Sequence, residues 1–198
     1  MGGSWERLAH VELSSAGDLD SGTFTAKENL KVTINSLGNG AVNNRMRFNG
    51  SSSSDYTFRV SGNGGSGSSS TSQTGIPIGN GNTQSPDNAF DVVNITNIAS
   101  KEKLVIGHTI TDEGTGSGNA PQRNEVVGKW TNTSAQITRI QLVNTGSGNF
   151  SAGSYMTVWG ASDDVANDTT QNSTIFEEND TGKHYIWNAT SDSWTEIS

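Results

Sequence analysis

The residues able to do chemistry are few in this chain, and their spacing decides how far each can be taken. Three histidines, His10, His108 and His184, fall on separate segments of alternating hydrophobicity, and none has a second histidine two or four residues away. A zinc site would need the fold alone to bring them together, so lone histidines are the expectation. Carboxylates come in close pairs at Asp18/Asp20, Asp112/Glu113, Asp163/Asp164 and Glu177/Glu178. Glycoside hydrolysis needs two opposed carboxyls across a groove with tuned pKa values, and nothing in the spacing selects one pair. They read as solvated loop acids. Serine is abundant, yet no Gly-x-Ser-x-Gly elbow is present to raise one as a nucleophile. Gly62, Gly64 and Gly67 satisfy Gly-x-Gly-x-x-Gly in form. The stretch that follows is SSSTSQTG, where a dinucleotide site requires a helix N-terminus. No catalytic residue and no cofactor site is expected.

Binding chemistry is the better supported class. Calcium needs only hard oxygen ligands, and the DLDSG turn at 18–22 and the SDDVAND segment at 162–168 are the two places for a structural ion, both short of a full ligand set. Sugar recognition needs an exposed aromatic platform beside Asn, Asp or Gln. Trp5, Trp130 and Tyr155 are the rings to consider, although their alternation places all three in a core. Arg45, Arg47 and Arg59 face outward from their strands and are able to meet acids of a neighbouring subunit. Asn-x-Ser/Thr recurs, for example at Asn49, Asn94, Asn132 and Asn188, at about the frequency this composition produces by chance.

The elements that must position these residues are short strands. The centre of the pattern is Ile137–Gly160: two apolar runs, Ile137–Val143 and Ser154–Gly160, around the loop TGSGNFSAG, with Trp159 expected as the largest buried ring. Ala9, Val11 and Leu13 alternate behind Trp5, and a short strand is expected at Thr23–Thr25. Asn29–Ser36 is the cleanest alternation, with Leu30, Val32 and Ile34 inward. Met46/Phe48 and then Tyr56/Phe58/Val60 follow with the same period. Residues 61–74 are almost pure Gly, Ser, Asn and Thr and read as a flexible loop. Ile76–Ile78 reads as an edge strand, since Pro77 has no N–H for a central ladder. Phe90–Asn97, Lys103–Ile110 (Leu104, Ile106, His108 and Ile110 on one face) and Asn124–Thr131 complete roughly nine or ten strands, the spacing of an all-β sandwich. No segment has helical periodicity. After Gly160 the chain turns polar and acidic, then offers three short strands at Ile175–Glu177, His184–Trp187 and Trp194–Ile197.

The totals fit one polar β domain with an appendage. The chain has 198 residues, 24 glycines, three prolines and 30% hydrophobic residues, enough apolar material for a single core. A net charge of −8 opposes binding to nucleic acid or an anionic membrane surface. With no cysteine, disulfides and thiolate metal sites are excluded. The N-terminus lacks the basic-then-apolar pattern of a signal peptide, and no apolar run reaches membrane-spanning length. Synthesis in the cytoplasm without membrane insertion is the expectation.

Three stretches together resemble virion structural proteins of tailed viruses, especially jelly-roll tail-fibre, receptor-binding and capsid-decoration proteins. The first is WERLAHVELSSAG with NLKVTINSLGNGAVNNRMRFNGSSSSDY, similar to the opening strands and the Arg-x-Arg-Phe-Asn-Gly turn of those domains. The second is KWTNTSAQITRIQLVNTGSGNFSAGSYMTVWG, which looks like their closing strands. The third is the tail, whose Thr-Gly-Lys-x-Tyr and Ser-Trp-Thr-Glu elements look like appendages that end many virion proteins. The resemblance implies an antiparallel two-sheet sandwich of jelly-roll type over 1–162, a polar linker over 163–173 and a C-terminal β-hairpin tail over 174–198. It implies a non-enzymatic subunit on the virion surface that forms a trimer or another homo-oligomer and contacts other virion proteins. A carbohydrate- or host-receptor-binding module is the alternative. A lone hairpin is marginal in water, so the tail is expected to dock, with Ile175, Tyr185, Trp187 and Trp194 as the assembly contact.

Overall fold

A computed structural model describes residues 5–40, 42–78, 88–112, 114, 116–162, 175–178, 181–188 and 193–197. The chain divides into two compact units, Trp5–Ser162 and a unit that contains the C-terminal strands. Among the described residues there is no helix. The expected linker over 163–173 lies outside them.

Twelve strands form the larger unit: β1 (Glu6–Glu12), β2 (Leu19–Asp20), β3 (Asn29–Asn39), β4 (Asn44–Phe48), β5 (Tyr56–Gly62), β6 (Ser68–Gln73), β7 (Asn88–Thr96), β8 (Lys103–Thr111), β9 (Gln122–Trp130), β10 (Ile140–Asn144), β11 (Asn149–Phe150) and β12 (Tyr155–Ala161). The large sheet runs β1-β12-β3-β7-β8-β9-β5-β6, with β11 paired to β3, and the small sheet runs β2-β10-β4. All these pairings are antiparallel. The chain passes from one sheet to the other repeatedly between β1 and β5, and again at β9–β10–β11.

Period-two alternation is what builds the core. Leu30, Val32 and Ile34 of β3 are fully buried, as are Met46 and Phe48 of β4 and Ile140 and Leu142 of β10. One hydrophobic cluster joins residues of both sheets. Its aromatic centre is Phe48 of the small sheet against Trp130 and Tyr56 of the large one, with ring centroids 5.8 and 6.0 Å away. Two antiparallel sheets around one core are consistent with a β-sandwich. Trp130 Nε1 donates to Asp55 Oδ2 at 2.9 Å, and the Tyr56 hydroxyl accepts from the Phe48 amide at 2.9 Å, so neither polar tip is wasted by burial. Burial pushes the Tyr56 phenol up to about 12.

Glycines in β8 and β9 make room for core side chains, Gly128 for Ile76 and Gly107 for its cross-strand neighbour Val126. A Cβ on Gly128 would lie 2.9 Å from Ile76 Cδ1, and one on Gly107 would lie 2.8 Å from Val126 Cγ1. Ile76 and Ile78 are completely buried. Ile76 makes a single antiparallel bridge to Met46 at the free edge of β4, which is where Pro77 allows it to be.

Several expectations are corrected. Trp159 is half-buried, and the largest buried ring is Trp130. The Gly/Ser/Thr stretch is a β-hairpin, with β6 hydrogen-bonded along β5 and turned by Asn63 and Gly64 at positive φ. Its side chains give no strand signal because a polar edge strand is held by backbone bonds alone. No strand forms at Thr23–Thr25, although Phe24 is buried and its amide donates to Thr138 O at 2.8 Å. The strand expected from Ile137 begins only at Ile140. Residues 137–139 are held by asparagine side chains instead. Asn97 Nδ2 donates to Ile137 O at 3.1 Å and its Oδ1 accepts from Ile137 N at 2.6 Å. Asn49 Oδ1 accepts from Thr138 N and Arg139 N at 2.8 and 3.1 Å. That is the use of the Phe-Asn-Gly turn: Asn49 and Gly50 both take positive φ, and the asparagine pins the chain entering β10.

The smaller unit contains β13 (Ile175–Glu177), β14 (His184–Asn188) and β15 (Ser193–Ile197), paired in order as an antiparallel three-stranded sheet. The three short strands read from sequence are present, joined as two successive hairpins in one sheet.

Candidate functional site

The residues proposed for chemistry do not gather. His10 and His108 share one row on the outer face of the large sheet, His10–Thr157–Thr33–Val92–His108. Four strand spacings put them about 19 Å apart. His10 Nδ1 is bonded to Thr157 Oγ1 at 2.8 Å, and His184 belongs to the other unit. Asp18 Oδ1 accepts from the Asn144 amide at 2.8 Å. Asp20 is held by both Arg139 guanidinium nitrogens, by Gln141 Nε2 at 3.1 Å and by the Gly22 amide at 3.0 Å. The Arg139 hydrogen bonds keep its carboxyl below the usual range. In the DLDSG turn both oxygens of Asp20 and Oδ1 of Asp18 are therefore committed to protein donors. Among the described residues no group of three His, Asp or Glu side chains is placed to hold a metal. SDDVAND lies outside them beyond Ser162, as does Glu113. Glu177 and Glu178 sit at the end of β13 and beside it, with His184 Nε2 at 3.8 Å from Glu177.

What the structure does assemble is a wet apolar strip on the outer face of the large sheet. In β8 the inward residues are Lys103, Val105, Gly107, Thr109 and Thr111, while Leu104, Ile106 and Ile110 point out and are 54%, 52% and 54% exposed. Strand register extends the strip sideways: Ile106 stands opposite Val127, and Ile110 opposite Phe90, both nearly half-exposed. A shallow groove of about 490 Å³ is floored by Leu104, Ile106 and Val127 and walled by Thr57, Arg59 and Lys129. A second, of about 270 Å³, shares Leu104 and Ile106 and is bounded by Trp5, Asn29, Asn94 and Thr96. Phe90, Leu104, Ile106, Ile110 and Val127 thus form one contiguous exposed apolar patch across three strands.

Charge on this face is opposite to that of the whole chain. The register turns Arg7, Lys31, Arg59, Arg123 and Lys129 outward, against Glu12 and Glu125. Lys129 also binds Glu102 at 2.7 Å. Of the three arginines considered from sequence, Arg59 lines the groove. Arg45 and Arg47 are tied on the small sheet to Asn44 O at 2.7 Å and Thr74 O at 2.9 Å. Of the three candidate sugar platforms, Trp130 is buried, while Trp5 and Tyr155 are 49% and 36% exposed.

Sequence reading had grouped Leu104, Ile106, His108 and Ile110 correctly but could not tell that theirs is the solvent side. The available signal was that β7, β8 and β9 each carry apolar residues of both parities, as in Val92–Val93 and Val126–Val127. Such strands bury one face and leave an apolar second face over.

The four expected assembly residues divide between the two sides of the C-terminal sheet. Trp187 stands opposite Trp194, and Tyr185 is two residues from Trp187 on the same side. The indoles pack with centroids 5.2 Å apart, and Trp194 stays 42% exposed. Ile175 is opposite Ile186 and lies on the other side, with Glu177, His184 and Ile197. Ile175 and Ile197 are 60% and 37% exposed. The Trp187 Nε1 is buried without an acceptor among the described residues.

A buried polar row completes the inventory. Asp91, Thr109 and Asn124 are neighbours across β7, β8 and β9 on the inward side. Asp91 is fully buried, accepts from Thr109 Oγ1 at 2.5 Å, and has no partner at Oδ2. Burial raises its carboxyl to about 7. It faces the packed interior, away from the grooves. Lys103, also buried, donates to the carbonyls of Lys101, Ala99 and Asn132 at 2.6, 3.3 and 3.0 Å, which makes it a structural clamp between loops.

Comparison with protein-family models, with curated proteins and with solved structures yields no match for this chain.

Proposed function

We propose that this protein is a non-enzymatic surface subunit of a tailed-virus particle, a capsid decoration, spike or tail-fibre knob, that works by assembling with copies of itself, as a trimer, and with other virion proteins. A jelly-roll course of the strands is part of the proposal, and the repeated passage between the two sheets is compatible with it. The observation that carries the reading is the exposed apolar surface on both units: Leu104, Ile106 and Ile110 on one, Ile175, Trp194 and Ile197 on the other. Side chains of that kind left in water at roughly half exposure are the ordinary signature of a protein that buries them against a partner. Deleting 163–198 is expected to abolish the oligomer, measured by light scattering after gel filtration, while the near-ultraviolet spectrum of Trp130 in its core persists. An oligomer unchanged by that deletion refutes the role given to the tail, and an image of the particle with this chain absent refutes the virion assignment.

A second reading has one specific observation in its favour. Trp5 beside Asn29, Asn94 and Thr96 is the pairing of aromatic face and amides that sugars use. Glycan-array binding lost on Trp5→Ala would support it, and a blank array with the full chain would remove it.

A further inference from the structure

Charge is distributed unevenly along the chain in a way that matches the two exposed surfaces. After Ser162 the sequence has eight carboxylates and one lysine; up to that residue it has twelve carboxylates and eleven Lys or Arg. Nearly all of the net −8 therefore belongs to the C-terminal segment. The outer face of the large sheet is richer in cations, with Arg7, Lys31, Arg59, Arg123 and Lys129 against Glu12, Glu125 and the Glu102 that pairs Lys129. Both surfaces have an apolar centre: Leu104, Ile106 and Val127 on the floor of the sheet groove, and Ile175 and Ile197 on one side of the C-terminal sheet, flanked by Glu177.

We propose that the occupant of the outer face of the large sheet is the C-terminal sheet of a second copy of this chain, seated through its Ile175–Ile197 side. This rests on the homo-oligomer reading above and names the receiving surface. Apolar centres supply the affinity, while the basic rim and acidic insert set orientation and speed of encounter. The same complementarity disfavours a face-to-face pairing of two large sheets, which sets the cations Arg7, Lys31, Arg59 and Arg123 against a second cation-rich face. A contact that joins two different patches of the chain is heterologous, so it closes into a ring or continues as a filament. A closed ring of three is the smallest assembly that satisfies every copy beyond a swapped pair.

The test uses full-length chains. Leu104→Glu/Ile106→Glu places charge on the receiving face, and Ile175→Glu/Ile197→Glu places it on the insert. All four side chains are at least a third exposed, so the circular dichroism spectrum of the folded chain is expected to match the parent. Each double variant alone is expected to be monomeric by sedimentation velocity, its association weakened at least about tenfold. An equimolar mixture is expected to form a dimer, since one intact face meets one intact insert. Raising salt from 50 to 500 mM weakens the parent oligomer. A mixture that stays monomeric overturns the proposal, as does docking of the insert within its own chain, which gives a parent mass independent of concentration. A receiving-face variant that stays oligomeric while the 163–198 deletion is monomeric keeps the assembly reading and removes this face from it.

Discussion

Replacing Asp91 by Asn is expected to stabilise the protein, and only above a defined pH. The carboxyl is fully buried between β3 and β8, holds one hydrogen bond from Thr109, and has no partner at its second oxygen. No cation lies beside it in the strand register, where its neighbours are Ile34 and Thr109. Burial penalises the ionised form, so the folded state holds the proton up to about 7, against 3.8 for the free group. The sign follows from linkage. Below 3.8 both states are protonated and the group contributes nothing to pH dependence. As pH rises from there to about 7, the unfolded chain loses its proton first, and stability falls by up to about 1.4 kcal/mol per pH unit. Above about 7 the deficit is constant. A difference of roughly three units gives a ceiling of about 4 kcal/mol. Asparagine keeps an acceptor for Thr109 and cannot ionise. At pH 8.5 the variant should therefore be about 2–4 kcal/mol more stable, a rise in Tm of roughly 5–15 °C for a chain this long. At pH 4 the two proteins should melt within a degree or two of each other. Urea unfolding followed by tryptophan fluorescence from pH 4 to 9 measures the difference, and all other titrating groups cancel in it. A stability difference that is flat across that range refutes the reasoning, because it means Asp91 is ionised or solvated at every pH.

Two other consequences follow from buried groups. Asn97→Ala removes the side chain that bonds Lys27 O, Ile137 O and Ile137 N and strands three backbone groups; a loss of about 2–4 kcal/mol in denaturant unfolding is expected, and a loss below 1 kcal/mol would mean water replaces it. Gly128→Val forces a side chain against Ile76 and the Thr57 carbonyl and is expected to cost about 1–3 kcal/mol by overpacking, with Ile76→Ala in the same chain recovering part of the loss.

How much of this was legible depends on what each element is held by. β3 could be read directly, because its inward residues are apolar and most of its outward ones polar; in β12 the alternation was legible but Trp159 was assigned to the core, whereas Met156 and Val158 are the buried residues. β6 could not, since SSSTSQ is placed only by ladder bonds to β5. Ile137–Arg139 looked like strand by composition, yet asparagine side chains from remote segments take its backbone groups. The C-terminal aromatics could be named from sequence as contact residues. Their division between two sides of a sheet required the register, in which Trp187 meets Trp194 while Ile175 meets Ile186.

The sequence by itself determined that the chain is built from antiparallel strands, that it lacks the means for thiol chemistry, and that its acidity is concentrated after residue 162. Alternation tells which side chains share a face; it says nothing about which face meets water when both are apolar. Only the tertiary structure decided that. The small sheet packs on one side of the large one, so Val105 entered the core, while Leu104, Ile106 and Ile110 stand on the opposite side and are exposed among the described residues.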